Sequence, residues 1–402
     1  MREGRPEQAP GEDGRGMMYA TTPMGKIHYR LEGPAGAPLL ILAPSLGTST
    51  EVWRDQVASF AGRWRLVLYD HPGHGGEKAP AGPYTISGLA GEVLALMDAL
   101  GEERASICGL SLGGMVAMWL AAHHPQRVEG LVLAATAPAL PPPDAWNERA
   151  ASVRGRGTGH LLDALMGRWF TGDIPSPGRA RSFVGSMLEA TDPEGYASCC
   201  EAIASCDLWQ DVTQIAAPTL VIGGADDPVA TPRMLTELAA AIPHAALTVI
   251  PRAAHLVNVE AAEPFSEAVM GHLLGVPRQR GRRLRTEVLG ERHVRAREAS
   301  ATPFTGPFQD FIARSVWGDV WTRPGLSREV RRLLALAMLA ALGHTEELGM
   351  HVRAAVRAGV SEETISEVLL QVAAYAGVPA ANAAFRAAEG ALAEEERGEE
   401  GG

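Results

Sequence analysis

Gly109-Leu110-Ser111-Leu112-Gly113 follows an apolar run, Ala105 to Cys108, and precedes an amphipathic one, Met115 to Ala122. That order predicts a strand, a sharp turn and a helix, with the serine on the turn. A serine there projects its hydroxyl into a cleft, and the flanking glycines tolerate a strained backbone and close packing. Such a hydroxyl is placed to attack carbonyl carbon. Glycine and serine are common enough for the pattern to arise by chance, so its meaning depends on what the rest of the chain supplies.

A serine hydroxyl is a weak nucleophile at neutral pH; it needs an imidazole to take its proton and a carboxylate to orient that imidazole. The serine turn resembles that of the α/β-hydrolases, and this resemblance implies that the acid and then the histidine follow the serine, each on a loop after a strand. Pro218 to Ile222 reads as a buried strand leading into Gly223-Gly224-Ala225-Asp226-Asp227-Pro228, and Ala246 to Ile250 as the next, leading into Pro251-Arg252-Ala253-Ala254-His255. His255 is therefore the base, and Asp226 and Asp227 compete for the acid. The oxyanion hole calls for backbone donors: the N–H of Leu112, after the nucleophile, and that of Leu46, in the loop Pro44-Ser45-Leu46-Gly47-Thr48 after the early strand Leu39 to Ala43.

These residues in this order resemble the α/β-hydrolases. In that resemblance the acid stands three residues after the glycine that closes its strand, here Gly224, which selects Asp227 and leaves Asp226 as a solvated neighbour or loop cap. The turn His71-Pro72-Gly73-His74-Gly75, after a strand Leu66 to Asp70, is similar to the Gly-His-Gly loop of many members. Its histidines read as structural.

A chain of 402 residues with a formal charge of −11 suggests two or three domains and argues against a general nucleic-acid binder, since phosphates need a basic surface. Residues 1–16 are polar and Gly/Pro-rich, read as a disordered tail without the apolar core of a secretory signal. No apolar run approaches the roughly 20 residues needed to span a bilayer. The expectation is a cytoplasmic protein without membrane or nucleic-acid partners. Four cysteines (Cys108, Cys199, Cys200, Cys206) do not make a disulfide framework, and none is spaced with histidine as a metal ligand, so no metal is expected.

Residues 17–275 alternate short apolar strands with amphipathic helices, which predicts an α/β domain with a mostly parallel sheet covered on both faces. Between about 138 and 211 the alternation stops, where this class of hydrolase inserts a helical lid that shapes the pocket and excludes water. Trp146, Arg168, Trp169 and Trp209 are the substrate-contact candidates there. Residues 276–393 read as a second, all-α domain. An arginine-dense stretch, Pro277 to Arg297, reads as a solvated helix or interdomain segment. Ser327, Thr345, Ser361 and Pro379 then open Ala-rich helices, the last reaching about Ala393. The final acidic residues, 394–402, read as disordered. Short Ala-rich helices make a thin core, which favours a homo-oligomer through this domain.

His344, Glu347 and His351 stand at i, i+3 and i+7, on one helix face and its first turn. Spacing alone allows a metal site, a proton path or a solvated face. The segments Trp317 to Leu326, His351-Val352-Arg353-Ala354-Ala355 with Gly359-Val360-Ser361, Arg283 to His293 and Tyr375 to Asn382 resemble the carboxymuconolactone decarboxylase family. Redox relatives carry Cys-x-x-Cys ahead of the matching histidine; here those positions are His344 and Glu347, which excludes thiol chemistry. The N-terminal half, with Ser45-Leu46-Gly47-Thr48 and His255-Leu256-Val257-Asn258-Val259-Glu260, is similar to 3-oxoadipate enol-lactonases.

The two resemblances together imply a bifunctional enzyme of protocatechuate breakdown, because in the β-ketoadipate pathway the decarboxylase product is the lactonase substrate. They imply small lactone substrates and no cofactor. Ser111, Asp227 and His255 would hydrolyse the enol-lactone. His351 would donate the proton after loss of CO₂, with Glu347 tuning or relaying, and Arg323 or Arg353 would hold substrate carboxylates. The alternatives are a general serine esterase or perhydrolase fused to a noncatalytic helical oligomerisation module, and a binding protein on a hydrolase fold.

Overall fold

Nine strands form one sheet in a computed structural model that describes residues 11–12, 18–140, 142–174, 176–323 and 325–399. The strands are β1 (Gly11–Glu12), β2 (Met18–Thr22), β3 (Gly25–Glu32), β4 (Leu39–Ala43), β5 (Arg65–Tyr69), β6 (Ala105–Leu110), β7 (Val128–Ala134), β8 (Thr219–Gly224) and β9 (Ala246–Ile250). Their order is β1-β2-β3-β5-β4-β6-β7-β8-β9, antiparallel as far as the β3–β5 pair and parallel from β5 to β9. Every residue of β4, β6 and β8 is buried, as expected of parallel strands covered on both faces. At the sheet edge β9 buries only Ile250. The tail expected over residues 1–16 is corrected at Gly11–Glu12, which pair with Tyr19 and Met18 and so extend the edge; the rest of it lies outside the described residues.

Helices α1 (Arg54–Phe60), α2 (Ile86–Ala99) and α3 (Leu112–His123) come before the lid. The lid itself comprises α4 (Pro143–Arg156), α5 (Leu162–Trp169), α6 (Pro177–Glu189) and α7 (Pro193–Ala204), with α4 and α7 packed together. After it come α8 (Pro232–Ala241), the single turn α9 (Val257–Glu260) and α10 (Ala262–Leu289), which crosses from the first compact unit, Met1–Leu274, into the second, Gly275–Gly402.

Among its described residues the second unit has helices as its regular elements, joined by short turns. It contains α11 (Glu291–Ala299), α12 (Gly306–Phe311), a π-helical stretch (Ile312–Val320), α13 (Arg328–Leu342), α14 (Thr345–Arg357), α15 (Glu362–Ala376) and α16 (Val378–Glu399). Ser327 and Ser361 each accept a backbone N–H three residues on, and Gly343 closes α13 at φ +74°, the left-handed geometry for which glycine has no Cβ penalty. The core joins Leu336, Leu348, Val352, Ile365, Leu369 and a row of alanines on α16. The expectation that 394–402 is disordered is corrected up to Glu399. There α16 continues, because Ala and Glu favour helix and Glu394 and Glu395 pair with Arg353 (2.8 Å) and Arg357 (2.6 Å) on α14. Residues 400–402 lie outside the described residues. No described helix is long and apolar enough to cross a membrane.

Candidate active sites

Strand pairing decides which loops meet. β4 pairs with β6, Ala43 opposite Gly109, so the loop after β4 lies beside the turn after β6; β8 pairs with β9, Gly224 opposite Ile250, so the acid and histidine loops lie together. All four loops leave the carboxyl ends of parallel strands, where open α/β sheets place their chemistry.

Ser111 sits on the turn between β6 and α3 at φ +52°, a conformation that costs a non-glycine residue about 1–3 kcal/mol and is retained only where the surroundings enforce it. Its N–H donates to Ala134 O (2.8 Å), Thr136 donates to its carbonyl (2.8 Å), and Gly113 N–H donates to Pro44 O (3.1 Å). A side chain at Gly113 would collide with the Ala43 carbonyl, and one at Gly109 with the Gly113 backbone, so both glycines are needed for the turn to close.

Ser111 Oγ lies 3.0 Å from His255 Nε2, and His255 Nδ1 lies 2.9 Å from Asp227 Oδ2. All three side chains are buried. The other oxygen of Asp227 accepts the N–H groups of Val229 (2.7 Å) and Ala230 (3.1 Å), which leaves Oδ2 aimed at the imidazole. Asp226 is exposed. Among the described residues the N–H groups of Leu46 and Leu112 donate to no backbone carbonyl, which leaves both free to face an oxyanion.

His71 and His74 are structural, as the sequence suggested, but their bonding partners and the part played by Glu260 were not legible there. His71 Nε2–H donates to Pro44 O (3.0 Å), while His74 accepts Gly47 N–H on Nε2 (3.0 Å), so the two rings brace the Pro44–Thr48 loop from both ends. Burial holds them at about 3 and about 4, and both stay neutral, as the bracing bonds require. Glu260 on α9 accepts Ala254 N–H (2.7 Å) and, on its other oxygen, Thr171 N–H (2.8 Å), tying the histidine loop to the lid.

Of the lid candidates, Trp169 is buried and its carbonyl accepts the N–H of Leu256, next to the base (3.0 Å). Trp146 is half-buried, its indole N–H on Leu140 O (2.7 Å), and Trp209 is half-buried. Arg168 is exposed.

The second unit holds a cavity of about 610 Å³. Glu347 and His351 of α14 line it, together with Glu346, Met350 and Arg353. Facing them are Arg285 and Leu289 of α10, His293 and Arg297 of α11, and Phe308, Gln309, Ile312 and Trp317. The π-helical stretch carries Trp317 inward: Trp317 stacks on Trp321 (4.5 Å between centroids), which in turn stacks on His351 (6.5 Å). Gly318 approaches the carbonyl of Pro277 so closely that a Cβ would not fit. Burial and the His293 ring push His351 down to about 4.

Neither His344, exposed at the start of α14, nor the exposed Arg323 lines this cavity; Arg353 does, paired with Glu394. The arginine-dense stretch is also not uniformly solvated, because Arg285 shares a helix face with the buried Leu284, Val288 and Leu289. That i, i+4 apolar pattern was the signal that could have singled it out. Among the described residues no group of three or more His, Cys, Asp or Glu could hold a metal ion.

Residues 38–262 match the alpha/beta hydrolase fold family, and residues 306–390 the carboxymuconolactone decarboxylase family. A 3-oxoadipate enol-lactonase of Acinetobacter baylyi is 38% identical over 244 residues, 60% of this chain and 91% of that protein. The 4-carboxymuconolactone decarboxylase of the same bacterium is 47% identical over 111 residues, 28% of this chain and 83% of that protein. The crystal structure of the enol-lactonase from Burkholderia xenovorans is 41% identical, with a TM-score of 0.62, and the match covers 64% of this chain and 99% of that one.

Proposed function

Because the chain belongs to the alpha/beta hydrolase fold family and carries a carboxymuconolactone decarboxylase family domain after it, we propose that it decarboxylates 4-carboxymuconolactone and hydrolyses the resulting 3-oxoadipate enol-lactone to 3-oxoadipate. One observation carries the reading: a closed Ser111–His255–Asp227 relay in one unit accompanies a cavity lined by the half-buried His351 imidazole, Glu347 and arginines in the other. Neither the esterase alternative nor a binding role accounts for that second cavity.

In the hydrolase unit His255 takes the Ser111 proton as Oγ attacks the lactone carbonyl, and the oxyanion faces the N–H groups of Leu46 and Leu112. The ring C–O bond breaks with an enol as leaving group, which His255 protonates. The same imidazole then activates water against the acyl-enzyme.

In the helical unit the bond from the ring to one carboxylate breaks, its electron pair moves through the ring double bond onto the lactone carbonyl, and a ring carbon takes up a proton. His351 donates that proton and Glu347 lies beside it. The free imidazole is neutral near pH 7, being held at about 4, and the negative charge of an arriving substrate opposes that depression and recruits the proton.

The exposed apolar residues Leu334, Met338, Leu342, Leu370 and Tyr375 on α13 and α15 support self-association through this unit. The four unpaired cysteines support a cytoplasmic location. Incubating the purified chain with 4-carboxymuconolactone, without added metal, tests the function: CO₂ and 3-oxoadipate should appear in equal amounts. An unconsumed substrate would refute it.

A further inference from the structure

We propose that Arg285, supported by Gln309 and Arg297, grips the carboxylate that the decarboxylase substrate keeps, leaving the carboxylate it loses at the Trp317–His351 end of the same cavity. This rests on the decarboxylation reading and adds to it an orientation of the substrate.

Arg285 is 8% exposed and lines the cavity. Of its five N–H donors, one reaches Gln309 Oε1 at 3.2 Å, while Nε–H is buried without a partner. Neighbouring arginines are neutralised: Arg282 by Glu298 (2.7 Å), Arg353 by Glu394 (2.8 Å) and Arg357 by Glu395 (2.6 Å). Neither Arg285 nor Arg297 has an ion-pair partner among the described residues. A buried, half-satisfied guanidinium is costly unless an anion completes it, and burial with the Arg297 charge nearby holds Arg285 below the usual arginine range. A carboxylate entering the cavity supplies both the missing acceptors and the missing charge.

The substrate is a dianion, and catalysis decides which carboxylate belongs here. An ion pair to the departing carboxylate stabilises the ground state and must be surrendered as neutral CO₂ forms, so it would raise the barrier. An ion pair to the retained carboxylate is the same before and after. The cavity has the polarity this demands. The charges acting on His293 are Arg285, Arg297, Arg353 and Arg357; those acting on His351 are His293, Arg332 and Glu347, with the indoles of Trp317 and Trp321 stacked alongside. Arg332 also acts on His351 and its Nε–H is likewise buried without a partner, but it does not line the cavity, whose guanidiniums are those of Arg285, Arg297 and Arg353; His351 supplies the proton. In balance, the dianion takes one proton and gives CO₂ and a monoanion, with the charge on Arg285 unchanged throughout.

The test compares the full chain with its Arg285→Gln variant on 4-carboxymuconolactone and on the monoester in which the acetate carboxylate is methylated. A lost charge-assisted contact is worth about 10- to 100-fold. KM for the diacid should rise by about that factor with kcat within a few-fold, whereas KM for the monoester should be the same in both proteins. Equal losses on both substrates, or an unchanged KM, would overturn the proposal. If the wild-type chain decarboxylates neither compound, the functional reading fails, and the subsite is judged by NMR titration with 2-furylacetate. Binding weakened at least tenfold in Arg285→Gln upholds the subsite, and equal binding overturns it. Should Arg285→Gln fail to fold, the exposed Arg297→Gln takes its place, with a smaller KM rise on the diacid as support and no rise as refutation.

Discussion

Replacing Asp227 by Asn should disable hydrolysis through a single misplaced proton. The Oδ1 position of Asp227 accepts two backbone N–H groups, from Val229 at 2.7 Å and Ala230 at 3.1 Å, so an asparagine must put its carbonyl there and turn its NH₂ toward His255. That NH₂ would donate to Nδ1, where the wild-type carboxylate accepts at 2.9 Å. The imidazole proton is then forced onto Nε2, the atom 3.0 Å from Ser111 Oγ, and the base can no longer take the hydroxyl proton. Loss of the correct tautomer in a serine triad costs about 10⁴ in kcat, or about 5.5 kcal/mol of transition-state stabilisation. The assay follows enol-lactone hydrolysis alongside CO₂ release in the same protein. Asp227→Asn should hydrolyse about 10⁴-fold more slowly while decarboxylating normally, and Asp226→Asn, on an exposed carboxylate, should stay near wild type. A loss under tenfold at 227, or an equal loss at 226, would refute the reasoning.

Three further outcomes are expected. Decarboxylation kcat/KM should fall about tenfold per pH unit from pH 5.5 to 7.5, because His351, held at about 4, is protonated below that value and loses its proton as pH rises; a flat profile would point to another proton donor. Glu260→Ala removes the acceptor of Ala254 and Thr171 N–H and should slow hydrolysis about tenfold without changing decarboxylation, since each buried donor left unpaired costs about 1–3 kcal/mol; an unchanged hydrolysis rate would show that the histidine loop needs no such tie. Asp70, buried and pushed up to about 7, binds its proton more tightly folded than unfolded, so the fold loses stability as pH rises from about 4 to about 7. Asp70→Asn keeps an acceptor for Thr50 N–H (2.7 Å) and should raise the melting temperature by several degrees at pH 8 but little at pH 4; a lower melting temperature at both would contradict this.

The hydrolase half was readable because its chemistry is bound to local signals. A glycine-flanked serine between strand and helix, and loops closing two later strands, mark all three relay residues, and parallel pairing of those strands brings them together. His74 was readable as structural but not by partner, and Glu260 was not readable at all, since each acts by bonding a backbone N–H that sequence cannot locate. In the helical half the pattern on α14 led to Glu347 and His351, but the cavity's other wall comes from α10, α11 and the π-helical stretch, and no periodicity along α14 reports it. Arg285 was hidden among eight arginines of which it is the buried one, and Arg323, attractive beside the tryptophans, is exposed and does not line the cavity that holds Glu347 and His351. The acidic end of α16 looked unstructured because its stabilising partners, Arg353 and Arg357, are some 40 residues away.

The most direct measurement supplies Ser111→Ala protein with 4-carboxymuconolactone and quantifies CO₂, enol-lactone and 3-oxoadipate over time. Two consecutive reactions at separate sites predict one enol-lactone accumulating for each CO₂ released, with 3-oxoadipate appearing no faster than the lactone hydrolyses in buffer. Rapid formation of 3-oxoadipate by this variant, or no release of CO₂ at all, would contradict the account.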